Sequence, residues 1–188
     1  YMSSTAAKPI VKLLSDVVVD SDYTFSKPYK MQDGTRFSAC RGPLVQTCEL
    51  PVTISNGMAT ILCSDNYAEY VAQVEEQAID ALATNSEKWF QKTLSHEDIE
   101  QLMKPSIKGH RCPKHILSAK AVKCYDHDLQ PVEMPATGTN CIAIIQVEGL
   151  KLDERRSEVC FAVQQLKLAE VPVEEETEVV TLDGPAFV

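Results

Sequence analysis

The spacing of apolar side chains divides the chain into a β stretch, a helical stretch and a second β stretch. In residues 1–64, short apolar runs are separated by turn signals, as strands are. Residues 11–19 are apolar-rich. Residues 23–31 lead into Gln32-Asp33-Gly34-Thr35, a hairpin turn of the Asp-Gly type, after which 36–40 resume the run. Residues 44–50 and 59–63 are further short strands, with Ser55-Asn56-Gly57 as the turn signal between them.

Residues 65–103 change period. Tyr67, Tyr70, Val71, Val74, Ala78, Ala81 and Leu82 recur at helical spacing, while Glu69, Glu75, Glu76 and Asp80 take the opposite face. Asp65 is the expected N-cap, and the helix is expected to run about four to five turns, broken at Asn85-Ser86. Trp89 and Phe90 follow in a short helical piece and are expected to dock it. Ser95-His96-Glu97-Asp98 has the form of a capping box opening a last helix that ends near Lys104-Pro105.

From residue 106 the pattern returns to β. Residues 116–125 alternate loosely, Asp126-His127-Asp128 is a turn, and 129–134 form an adjoining edge. Residues 140–150 read as a buried strand, 151–156 as a charged hairpin loop and 157–168 as a last long strand. In that strand Val159, Phe161, Val163 and Gln165 are expected on one face, with Cys160, Ala162, Gln164 and Leu166 on the other. Strands, helical insert, strands is the plan of a mainly β fold. The expected form is an OB-like Greek-key β-barrel, which commonly carries a helix between its third and fourth strands. A β-sandwich with a helical insertion is the alternative. Residues 1–169 are expected to form one domain with the helical insert at 65–104, followed by an acidic, flexible tail over 170–188.

Composition adds compartment and partner. No apolar run approaches the ~18–20 residues of a membrane span, and no secretory signal opens the chain, so no membrane partner is expected. Seven cysteines at scattered positions point to a reducing compartment. The net charge of −9 is unevenly spread. Residues 65–103 carry nine acids and two lysines, and 170–188 carry five Glu, Asp183 and no base. The remainder has sixteen bases against twelve acids. Within it, Lys104, Lys108, Arg111, Lys114, Lys120 and Lys123 follow one another with no acid between, a local positive field on an acidic molecule.

Catalytic and metal patterns are weak. Cys112-Pro113-Lys114-His115 and Cys124-Tyr125-Asp126-His127 are two C-x-x-H units, with His110 nearby. A strand over 116–123 would hold them roughly 25–30 Å apart at ~3.3 Å per residue, so no shared zinc site is expected. No nucleophile elbow, phosphate-cradling glycine loop or H-E-x-x-H motif is present. The expectation is a non-enzyme without cofactor or metal. An enzyme built on Cys112, His115, Cys124 or His127 is the weakest reading.

Several segments in order resemble a family of proteins from nucleocytoplasmic large DNA viruses: Phe25-Ser26-Lys27-Pro28, Leu44-Val45-Gln46-Thr47, Asn85-Ser86-Glu87-Lys88-Trp89-Phe90, Met103-Lys104-Pro105-Ser106-Ile107-Lys108 and Ala143-Ile144-Ile145-Gln146. They span about residues 25–168, and the Asn-Ser-x-Lys-Trp-Phe stretch is the most specific. That family is similar to the single-stranded-DNA-binding proteins of podophages, OB-folds with a helix inserted in the barrel and an acidic tail ending in an aromatic residue. The resemblance implies a single-stranded-DNA-binding protein of a large DNA virus that protects exposed strands in replication and recombination.

Single-strand binders combine a cationic groove with aromatic platforms. The groove candidates are Lys27, Lys30, Arg36, Arg41, Lys104, Lys108, Arg111, Lys114, Lys120 and Lys123, and the stacking candidates are Tyr29, Phe37 and Tyr125. The tail, with Glu174, Glu175 and Glu176, is expected to compete for the groove. Through Phe187 it would recruit a viral polymerase or helicase. A homodimer and a place in the host cytoplasm or nucleus, with the virion as a further location, complete the expectation. The competing class is a virion structural or capsid-associated protein using the same barrel for protein contacts.

Overall fold

The computed structural model describes residues 9–153 and 156–170. Over them the chain is mainly β, with helices mostly gathered in one stretch. In order come β1 (Val11–Leu13), a 3-10 turn (Leu14–Asp16), α1 (Val19–Asp22), β2 (Thr24–Phe25), β3 (Tyr29–Lys30), β4 (Arg36–Arg41), β5 (Leu44–Ser55) and β6 (Met58–Leu62). Then follow α2 (Asp65–Phe90), α3 (His96–Leu102), β7 (Ile107–Lys108), β8 (Lys114–Ser118), β9 (Lys123–Tyr125), β10 (Pro131–Val132), β11 (Thr139–Leu152) and β12 (Ser157–Leu168).

Five strands pair in a closed path. β5 runs antiparallel to β6, and β6 antiparallel to β8. β8 meets β12 in parallel at Ser118↔Ala162. β12 pairs along its length with β11, and β11 returns antiparallel to β5. β4 extends the sheet outward from β11, with β2 and β3 on its far edge. The helical stretch enters between β6 and β8, the second and third strands of this path, and not between the third and fourth.

The core follows from alternation. β6 and β8 turn Ala59, Ile61, His115 and Leu117 inward and leave Met58, Ile116 and Lys114 exposed. The apolar stripe of α2, from Tyr67 through Val71, Val74 and Ala78 to Leu82, joins these in one buried cluster. The Tyr23 and Tyr70 hydroxyls meet at 2.8 Å, so two buried phenols satisfy each other. Burial pushes the Tyr23 hydroxyl up to about 12.

Four local expectations are corrected. Residues 11–19 are not one strand: β1 gives way to a 3-10 turn and α1. The cap of α2 is Ser64, whose Oγ accepts from the Tyr67 N–H. The helix also runs straight through Asn85-Ser86. Asn85 Nδ2 donates to the Ala81 carbonyl at 2.8 Å and Ser86 Oγ to that of Ala83 at 2.9 Å, so both polar side chains are satisfied by the helix itself. It ends one turn later at Gln91, in the left-handed conformation with φ 57°. The capping box of α3 is present as expected, with Ser95 and Asp98 exchanging bonds.

The fourth correction concerns β12. A register shift between Ile144 and Ile145 places Gln164 opposite no partner, so the inward set changes parity from Val163 to Leu166. A bulge of this kind cannot be read from alternation within one strand. A second shift, between Val147 and Gly149, lets β11 pair with both β12 and β4. There the Phe37 ring lies against Gly149. A methyl group on Gly149 would fall 2.6 Å from the Phe37 ring edge and against the Ser38 carbonyl oxygen. Gly149→Ala is therefore expected to lower stability by about 1–3 kcal/mol, the range for overpacking. Gly34→Ala, at a positive φ of 89° but with open space around it, reports the backbone cost alone in urea unfolding and serves as the comparison.

Candidate functional site

β8 pairs with β12 in register at Ser118↔Ala162, and its other end pairs with β7 instead, at Lys108↔Lys114 and Ile107↔His115. The approach to β7 is held to β12 by the Lys104 N–H, which donates to the Ser157 carbonyl at 2.8 Å. A cleft of about 410 Å³ opens between these strands. Lys104, Lys108 and Lys120 line it, with Met58, Ile116, Ser118 and Cys160; Glu148 and Glu158 lie on the β11 and β12 side.

The electrostatics of the cleft are lopsided. Lys104 Nζ is paired with Glu158 at 2.9 Å. Among the described residues, Lys108, Arg111, Lys114 and Lys120 have no carboxylate within ion-pair distance. Lys108 and Lys114 are direct cross-strand partners, an arrangement that costs free energy when the charges are alike. Arg111 is exposed in the loop joining them. Four cations thus stand on or beside β7 and β8, at a site that an anion would relieve. Ser106, also on the cleft wall, has the one buried side-chain oxygen among the described residues without a hydrogen-bond partner. Its N–H donates to Glu75 Oε1 at 2.6 Å.

The other candidates fall into separate places. Tyr29 and Phe37 form an edge-to-face pair, centroids 6.0 Å apart, with Tyr29 half exposed. Phe37 is in register with Lys151, and Lys151 with Glu158. The aromatic pair therefore lies two strand spacings, roughly 10 Å, from the cleft wall on the same outer face. Lys30 and Arg36 turn the other way. They line a second cleft, about 890 Å³, with Lys92, Phe90 and the apolar side chains of Leu82, Leu94 and Ile99. Arg36 stands over the Phe90 ring at 5.7 Å. Lys27 and Arg41 are exposed on the β2–β4 edge. Lys123 and Tyr125 are on β9, further along β12. Glu174, Glu175, Glu176 and Phe187, with the rest of the expected tail beyond residue 170, lie outside the described residues.

The two C-x-x-H units take up different tasks. The strand expected over 116–125 is broken into β8 and β9, yet both run parallel to β12 and so continue in one direction. His115 is buried, with Nδ1 2.8 Å from the Tyr67 hydroxyl and its ring edge-on to Phe161 at 4.7 Å. Cys124 is buried with Sγ 3.4 Å from Met134 Sδ. Cys112 is exposed, and His127 pairs with Asp128 at 3.0 Å. Burial pushes the Cys63, Cys141 and Cys160 thiols up to about 11, away from the thiolate that a ligand or nucleophile needs. The one His, Cys, Asp and Glu group of three within ligating reach among the described residues is Glu76, Asp80 and His96. Sequence reading missed it because it joins α2 to α3 across a turn. Nε2 of His96 lies 3.0 Å from Glu76 and 3.3 Å from Asp80, an exposed polar contact between the helices.

Residues 53–179 match the model of a family of unknown function (DUF5871). The chain belongs to that family. No curated protein matches it. Among solved structures, this DUF5871 chain is similar to the single-stranded DNA-binding protein from bacteriophage Enc34 in complex with ssDNA. The TM-score is 0.43 at 9% identity, over 77% of this chain and 94% of that one. The same phage protein without DNA gives a TM-score of 0.43 at 7% identity, over 82% and 95%. Its C-terminal truncation gives 0.43 at 8%, over 81% and 98%.

The buried histidine gives a pH signature. Desolvation pushes His115 down to about 4 from its ordinary 6.5. Above about pH 6.5 it is neutral in folded and unfolded chains alike. As pH falls toward 4, the unfolded chain binds a proton that the folded one refuses, so stability is lost across that window, by about 3 kcal/mol in all. In urea unfolding at neutral pH and at about pH 4.5, the native chain is expected to lose about 2–3 kcal/mol more than His115→Gln does. Equal losses would remove His115 as the cause.

Proposed function

We propose that this DUF5871 chain binds single-stranded DNA across the outer face of its sheet. The observation that carries the reading is the Lys108–Lys114 cross-strand pair with Arg111 and Lys120 nearby, without carboxylate partners among the described residues, Lys108 and Lys120 lining the cleft. A like-charge pair held opposite itself is costly in isolation and favourable against a phosphate backbone. The strand enters at the β7–β8 hairpin, crosses the cleft and reaches Tyr29 and Phe37, where bases stack. Lys30 and Arg36 face the other cleft and take no part in this path.

The fold supports the same reading. Counting β5, β6, β8, β11 and β12 as first to fifth, the strands stand side by side in the order fourth, first, second, third, which is the Greek-key order. With β8–β12 closing the path, we read it as an OB-like barrel, a form used for oligonucleotides on its second and third strands. The cleft borders those strands, β6 and β8. We further read the chain as a non-enzymatic protein of a large DNA virus. On this reading it covers exposed strands in replication and recombination in the host cytoplasm or nucleus. Residues 170–188 compete for the cationic face and offer Phe187 to a polymerase or helicase.

Fluorescence anisotropy with labelled oligo-dT and with duplex, over a series of salt concentrations, tests this. Single strand is expected to bind more tightly than duplex, with affinity falling linearly in log salt. Lys108→Ala and Lys114→Ala should each reduce the slope by about 0.7. Glu158→Gln, which frees Lys104, should tighten binding, as should deleting residues 170–188. Tight duplex binding without preference for the single strand overturns the reading.

A further inference from the structure

Two exposed apolar side chains line the same cleft as Lys104, Lys108 and Lys120. Met58 on β6 is 39% exposed and Ile116 on β8 is 45% exposed. In register, Met58 faces Ser118 and Ile116 faces Thr60, so the two are diagonal neighbours on adjacent strands and both point outward. Diagonal pairs lie roughly 7–8 Å apart, within reach of long side chains. Lys114 precedes Ile116 on the same outward row, and Lys120 follows it beyond Ser118. Lysines therefore bracket the apolar pair at both ends.

We propose that Met58 and Ile116 are a seat for the bases of the bound strand, one that works by apolar contact alone. The inference rests on the single-strand reading above and names how the cleft takes its ligand. A nucleotide needs an apolar surface under its ring and cations beside its phosphate. The cleft offers both within one strand length. The expected stacking residues do not supply that surface here: Phe37 on β4 stands three strands from either side chain, Tyr29 lies beyond it on β3, and Tyr125 is on β9. Phe161 and His115, which also reach the cleft, are buried beneath it. The thioether of Met58 is polarizable and suits aromatic ring faces and edges. Neither side chain offers a hydrogen bond, so the seat accepts any base.

A second copy of the chain fits this surface poorly. Two exposed apolar side chains are far too few for a stable interface. A two-fold contact would also bring the same unpaired lysines against each other.

The test compares oligo-dT with an abasic strand of equal length and equal phosphate number. Met58→Thr and Ile116→Thr keep strand propensity at exposed positions, and circular dichroism checks the fold. The double variant is expected to lose about 5–10-fold in oligo-dT affinity, the weak end of base–platform contacts, at every salt concentration and with an unchanged salt slope. Its affinity for the abasic strand should stay at the native value, whereas Lys108→Ala weakens both strands. Native affinity of the double variant for oligo-dT overturns the base seat while leaving the single-strand reading intact. So does a shift from dimer to monomer in sedimentation without loss of oligo-dT binding. Absence of binding to either strand by the native chain overturns both.

Discussion

One parallel contact, Ser118 against Ala162, closes the path of five strands and also sets the shape of its outer face. Beyond that contact β8 diverges from β12. The vacated edge of β8 needs hydrogen-bond partners, because a strand's unpaired N–H and C=O groups are costly when covered. β7 supplies them, and the segment leading to β7 is tied to β12 at Ser157. The cleft is the space left by this splaying. Its position next to β7 puts two lysines opposite each other, where a continuous β8–β12 ladder would have kept them apart.

Charge segregation follows from the same plan. The acidic face of α2 points away from the buried stripe, and several of its carboxylates are used in holding the helical stretch together, Glu75 at Ser106 and Glu76 and Asp80 at His96. Among the described residues none of these three carboxylates pairs with a lysine of the sheet, whereas Glu158, on β12, reaches Lys104. An exposed pair of this kind is worth at most about 1 kcal/mol, so it restrains Lys104 without removing it from play. Below the charged surface His115 carries the opposite burden. It is a polar ring held neutral by burial, bonded to Tyr67 of α2 and packed on Phe161 of β12, and so couples helix to sheet.

Local signals in the sequence carried a good part of this. The order of strands, helices and strands, the α2 stripe from Tyr67 to Leu82, the Ser95–Asp98 box and the long strands over 140–150 and 157–168 all rest on neighbours along the chain. The base run from Lys104 to Lys123 was equally visible. What depended on distant partners was not. Ser118 and Ala162 are separated by more than forty positions, and nothing in either marks the contact that splits 116–125 into two strands. The bulge opposite Ile144–Ile145 reversed the facing of Leu166. Asn85 and Ser86 read as breakers because their bonds to Ala81 and Ala83 are invisible without the helix. Lys30 and Arg36 looked like members of one groove because charge carries no direction in a sequence.

On this reading unpaired DNA lies along the β7–β8 hairpin and the cleft beside it. Lysine labelling with a small acylating reagent, read by mass spectrometry with and without oligo-dT, addresses it residue by residue. Lys108, Lys114 and Lys120 are expected to be protected, with Lys27, Lys92 and Lys123 labelled as fast as in the free chain. Protection of Lys92 and Lys30 with Lys108 and Lys114 left reactive would place the strand in the other cleft and contradict it.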